Sequence, residues 1–215
     1  MNEYESLLKN KGIDLEQYEY PELKPFDQDW RWCHKYCYDV IKENIPSGKL
    51  MKLAAVRHFM DMERHDIRLD EIAANSIVTW FKFIPITDGK NAGSPTVLLP
   101  WQIFVVVSLI AWLWTKDTYD EDGNLITQEG VRRYNQSFIL ISRKAGKTTL
   151  AAGLILYIMF KSGYQPRAYS VATKRDQAKL LWNTAKIMIN LSPRLRQIFE
   201  TRANDILVPS KFGEF

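Results

Sequence analysis

At 215 residues, with 46% hydrophobic and 25% charged residues, the chain has a globular composition and room for one ordinary domain with an appended helical part, which excludes disorder as the default. The net charge of +4 is modest but unevenly spread: residues 1–30 hold 3 basic and 8 acidic residues, whereas residues 131–215 hold 15 and 4. A basic half of this kind suits polyanionic partners, or solvated helix faces.

The opening "MNEYESLL" lacks the basic, apolar-cored pattern of a leader, so no signal peptide is expected. In "WRWCHKYCYDVIKENI", residues 30–45, Cys33, Tyr36, Cys37, Val40, Ile41 and Asn44 recur at helical spacing and predict a first helix. The presence of only two cysteines, Cys33 and Cys37, fits a reducing, intracellular setting. A second helix is expected over 49–64, with Leu53, Val56, Phe59 and Met60 inward, and a third over 69–81. "PITDGKNAGSPT" reads as a loop, and Pro100 is placed to open the apolar helix 101–114. Its run from 103 to 114 falls short of the roughly 20 residues a bilayer span needs, so it is expected in a domain core. "TKDTYDEDGNLITQEG" should be an exposed turn or short hairpin.

From about residue 135 the pattern alternates: strand at 138–141, apolar helix at 148–161, strand "RAYSVAT", amphipathic helix "KRDQAKLLWNTAKIMIN", short helix "PRLRQIF" and short strand "DILVP". This spacing predicts an α/β fold, a partial parallel sheet of P-loop NTPase-type βαβ units over 100–215, preceded by an all-helical region over 1–99. "ISRKAGKTT" stands between the first strand and its helix. A triphosphate grip needs inward backbone N–H groups, a lysine and a hydroxyl for Mg²⁺. Gly146, Lys147 and Thr148 supply the last three positions of G-x-x-x-x-G-K-[ST], while Ile141 stands where the leading glycine would be. The alternative is a basic turn that contains Gly-Lys-Thr.

"ISRKAGKTTLAAGLILYIMF" resembles the deviant Walker A loop of large terminase subunits, the DNA-packaging motors of tailed bacteriophages, in which that glycine is often absent and a basic residue precedes the loop. "AVRHFMDMER", "LLPWQIF", "RRYNQSFIL" and "YSVATKRDQAKLLWNTA" resemble further segments of that family in the same order, over about residues 30–190. The resemblance implies ATP and Mg²⁺ bound by Arg143, Lys144, Ala145, Gly146, Lys147, Thr148 and Thr149, with Lys147 on phosphate and Thr148 on the metal. It implies that Gln102 reads adenine, unless Gln102 only caps its helix, and that Thr173, Lys174, Arg175 and Gln177 couple nucleotide to DNA, unless they are an ordinary charged helix start. It also implies double-stranded DNA, a portal protein and a terminase small subunit as partners, a homo-oligomeric ring, no membrane, and the host cytoplasm as the place of work.

ATP hydrolysis needs an acid at the end of a neighbouring strand. After Thr149 the acids are Asp176, Glu200, Asp205 and Glu214, and none follows an apolar strand. The chain is therefore expected to be the front portion of such a subunit, truncated or split, without catalytic acids or the family's nuclease domain, binding ATP and turning it over poorly. The competing readings are another P-loop translocase or helicase, and a non-catalytic nucleotide- or DNA-binding remnant. Cys33, His34 and Cys37 suggest a metal site, but their place on an apolar helix stripe favours core packing, and no second ligand pair is evident; His58 and His65 stand in no ligand pattern.

Overall fold

The computed structural model describes every residue except Glu19, 21–27, Tyr164, 203–204, Phe212 and Phe215. Two compact units emerge, Met1–Val78 with Leu98–Phe138, and Thr79–Val97 with Ile139–Phe215.

In the first unit, α1 (Glu3–Lys9) starts on a reciprocal cap: the Asn2 side chain accepts from the N–H groups of Tyr4 and Glu5, and the Glu5 carboxylate accepts from Asn2 N–H. Helices α2 (Trp32–Ile41) and α3 (Lys49–Met62) occupy the expected stretches. Helix α2 packs on α3 and on α5 (Pro100–Ala111), whose first residue is the expected proline. The 3.6-residue stripe of α2 is buried through Cys33, Cys37, Val40 and Ile41, with Phe59 of α3 and Val106 and Val107 of α5 also fully buried. Asn44 lies beyond the helix and is exposed, and Leu53 of α3 is partly exposed rather than inward.

Two expectations for this region are corrected. The stretch before residue 99 is not all helical, because β1 (Ile67–Leu69) pairs antiparallel with β2 (Trp112–Trp114), Ile67 opposite Trp114 and Leu69 opposite Trp112. The apolar helix therefore stops at Ala111, and Trp112 turns extended at φ −80°, ψ 118°. A bulky aromatic run fits a pleated surface well, and a strand partner brought in from far upstream in the chain outweighs continued helix. The expected hairpin forms from β3 (Thr118–Tyr119) and β4 (Leu125–Thr127), with Gly123 at φ +81° in its turn.

In the second unit, the last residues of α4 (Glu71–Phe81) lead into a loop clasped by a bridge between Pro85 and Pro95. Helix α6 (Lys147–Lys161) packs on α7 (Arg175–Leu191), and α8 (Pro193–Ile198) follows. The α7 face read from the sequence holds, with Ala185 and Met188 fully buried and Ala178 and Leu181 half-buried. The Trp80 indole stacks on Phe160 and meets Tyr157 and Phe199 edge-on, while its Nε1–H donates to the Gly153 carbonyl at 2.9 Å.

The parallel sheet expected here does not form among the described residues. The sheet of this unit joins β5 (Glu200–Thr201), β6 (Ile206–Val208) and β7 (Gly213–Glu214), all antiparallel. "DILVP" is thus a strand, but of another kind. Among the described residues, 138–141 form no strand and 167–173 form none beyond a single bridge at Arg167, and Phe138 and Val171 are 91% and 90% exposed. Strands of a parallel sheet are stable when flanked by neighbours and covered on both faces, and among the described residues neither segment is built into a sheet.

Candidate nucleotide site

The loop from Ile141 to Thr149 takes its shape from two left-handed residues, Lys144 at φ 68° and Gly146 at φ 76°. Glycine adopts this conformation without a Cβ penalty, which explains why the residue just ahead of the lysine is glycine. Gly146 is the N-cap of α6 and supplies no side-chain cap. The first backbone bond into the helix is donated by Leu150 N–H to the Gly146 carbonyl, so the N–H groups of Lys147, Thr148 and Thr149 precede the helical ladder. Those N–H groups and the positive end of the helix dipole suit an anion.

Leu150 is buried and anchors the first turn, whereas Lys147 and Thr148 are exposed and Thr149 is half-buried. The Lys147 ammonium folds back over the loop and donates to the carbonyls of Ile141 at 2.6 Å and Ser142 at 2.8 Å. Sequence reading missed these two acceptors because nothing in a side-chain pattern announces a backbone carbonyl. Arg143 and Lys144 are exposed and Ala145 is half-buried, so five consecutive residues place three positive charges around one helix start. The donor set fits a polyphosphate: orphan N–H groups, a lysine ammonium within the loop, and the Thr148 and Thr149 hydroxyls, which could hold a divalent cation.

Gln102 lies in the first turn of α5, in the other unit, and its side-chain oxygen accepts from Leu99 N–H at 2.8 Å. The capping alternative therefore describes that oxygen. Lys174 is the N-cap of α7 without a side-chain cap bond, and the Thr173 hydroxyl donates to the Gln177 side-chain oxygen at 3.3 Å. Of the acids, Asp176 sits in the first turn of α7, Glu200 on β5 pairs with Arg202, and the Asp205 carbonyl closes the β5–β6 turn by accepting from Arg202 N–H. Sequence reading also passed over Gly153, whose small size in a bulky apolar helix was the available signal for a close approach.

Among the described residues no helix is long and apolar enough to cross a membrane. A family model described as the ATPase domain of the terminase large subunit matches residues 100–211, just over half of the chain. A terminase large subunit of Enterobacteria phage HK97 is 29% identical over 119 residues, 54% of this chain and 20% of that protein. The chain thus spans about a fifth of the length of that curated relative. Among solved structures, the crystal structure of the HK97 bacteriophage large terminase is similar at a TM-score of 0.49 and 22% identity, covering 66% of this chain and 26% of that one. By the family match, the chain belongs to the terminase large subunit ATPase domain family.

Proposed function

We propose that residues 141–149 bind the triphosphate of ATP with Mg²⁺, and that the chain is the ATP-binding front portion of the motor that packages double-stranded DNA into a procapsid. The observation that carries this reading is the left-handed Gly146 directly ahead of an uncapped α6, with the Lys147 ammonium turned over the loop. Lys147, Arg143 and Lys144 would neutralise phosphate charge, the N–H groups of Ala145 to Thr149 would bind phosphate oxygens, and Thr148 would hold the metal. Bound Mg²⁺ would offset the charge of the phosphate oxygens. Lys147 must exchange its two carbonyl acceptors for phosphate, so binding and loop rearrangement are coupled. Gln102 is proposed to meet adenine with its Nε2–H donor, because its oxygen is engaged at Leu99.

The segments 138–141 and 167–173 are proposed as strands of a parallel βαβ core, since each leads into a helix of the packed α6–α7 pair and each exposes apolar side chains. DNA, a portal protein and a terminase small subunit are the partners this reading assigns to the full subunit, assembled as a ring in the host cytoplasm.

The test is ATP binding with Mg²⁺ by this chain beside Lys147→Ala. Removing a charged hydrogen-bond donor of this kind is expected to weaken binding roughly tenfold or more. Equal binding by the two proteins would remove the loop from the site, and no binding by either would favour the basic-turn reading.

A further inference from the structure

We propose that the first unit holds a Zn²⁺ between α2 and α3, bound by Cys33 Sγ, His34 Nδ1 and His58 Nε2. The three atoms converge from two helices: Cys33 Sγ lies 3.9 Å from His34 Nδ1 and 3.8 Å from His58 Nε2, and the two ring nitrogens are 2.7 Å apart. All three residues are buried, at 0%, 5% and 3% exposure, and together they form a group whose ligand atoms all lie within 4.8 Å of one another. Zinc–nitrogen bonds near 2.0–2.1 Å and a zinc–sulfur bond near 2.3 Å put sulfur–nitrogen separations at roughly 3.5–3.8 Å and the nitrogen–nitrogen separation at roughly 3.3 Å. The two sulfur–nitrogen distances lie at the upper end of that range and about 0.1 Å beyond it, and opening the imidazole pair by roughly 0.6 Å would complete the set.

Simple packing accounts poorly for the same cluster. The pocket is aromatic, with Trp30 edge-on to His34, and Phe104 and Trp112 edge-on to His58. The two rings share a single hydrogen bond. Converging polar groups in such a core are costly unless something satisfies them, and a thiophilic cation does so for three atoms at once. Binding releases one proton, that of the Cys33 thiol, as the Zn–S bond forms; the proton shared by the rings moves to the outer nitrogen of its own ring. Among the described residues no fourth Cys, His, Asp or Glu joins the group, so the remaining position falls to water or stays open.

The experiment titrates the metal-free 215-residue chain with ZnCl₂ against a chromophoric chelator. One Zn²⁺ per chain is expected, with release of about one proton. Cys33→Ser should weaken binding roughly tenfold or more, whereas His65→Ala, at an exposed histidine outside the group, should leave it unchanged. Because Cys33→Ser could unfold the unit, X-ray absorption on the wild-type zinc protein provides an independent readout of one sulfur and two imidazoles. Absent zinc binding, binding that survives Cys33→Ser unchanged, or a first shell with two sulfurs or none would each overturn the site.

Discussion

Gly153→Ala places a methyl group where α6 and the end of α4 touch. A Cβ built at Gly153 lies 2.6 Å from Phe81 Cε1 and 2.9 Å from Cζ, against roughly 3.5–4.0 Å for an ordinary carbon contact. Phe81 is fully buried, so its ring cannot swing into solvent, and a shift of roughly 1 Å must be taken up by α6 or by the ring's packing. Overpacking of this kind costs about 1–3 kcal/mol. Stretching the Trp80 bond to the Gly153 carbonyl adds a fraction of the roughly 1 kcal/mol such a bond contributes. The better helix propensity of alanine offsets about 1 kcal/mol. Net destabilisation of about 1–2 kcal/mol is expected, read as a lower urea midpoint by tryptophan fluorescence. Gly163→Ala is the control, since a Cβ there meets nothing within 4 Å, and it should stay within about 0.5 kcal/mol of wild type. Phe81→Leu combined with Gly153→Ala should recover part of the loss as a coupling energy. A Gly153→Ala protein as stable as wild type would refute the close-packed account of the α6–α4 contact.

Asp61 pairs with Arg133 and both are largely buried, so Asp61→Ala leaves a guanidinium without its carboxylate. Loss of one partner of a buried pair costs about 3–5 kcal/mol, and a fall in unfolding free energy below about 1 kcal/mol would refute that role. Gln102→Glu keeps the oxygen that caps Leu99 and removes the amide donor. Stability should therefore hold within about 0.5 kcal/mol while ATP affinity falls; unchanged ATP affinity would take Gln102 out of the nucleotide site. Burial, reinforced by Arg31, pushes the His34 pKa down from 6.5 to about 4. The folded chain then binds fewer protons than the unfolded chain between those values, so this contribution is fully present above pH 6.5 and lost as pH falls towards 4. In chelator-treated protein, this amounts to about 3 kcal/mol across the window, with fully buried His58 pushed the same way, and urea midpoints measured from pH 7 to pH 4 should fall accordingly. A flat profile would show that His34 is not buried as a neutral ring.

Local chemistry was legible in the chain. Apolar spacing located α2, α3 and α7, because a 3.6-residue period is written in adjacent residues and decides which face is buried. Gly146 and Lys147 were legible for the same reason, since a left-handed turn ahead of a helix start is a property of a few consecutive residues. The pairing of β1 with β2 was not, because the gain from joining Ile67–Leu69 to Trp112–Trp114 depends on two segments far apart in sequence. Nor was the lack of strand partners at Phe138–Ile141, where an apolar run states what could be buried but not what is there to cover it. The cysteine and histidines show the division most sharply. Cys33 and His34 are neighbours on a stripe that reads as core, and His58 stands alone 24 residues on; only the packing of α2 against α3 brings its ring within hydrogen-bonding distance of His34. Periodicity determines which way each helix faces, while the choice of partner face belongs to long-range packing that no window of sequence contains.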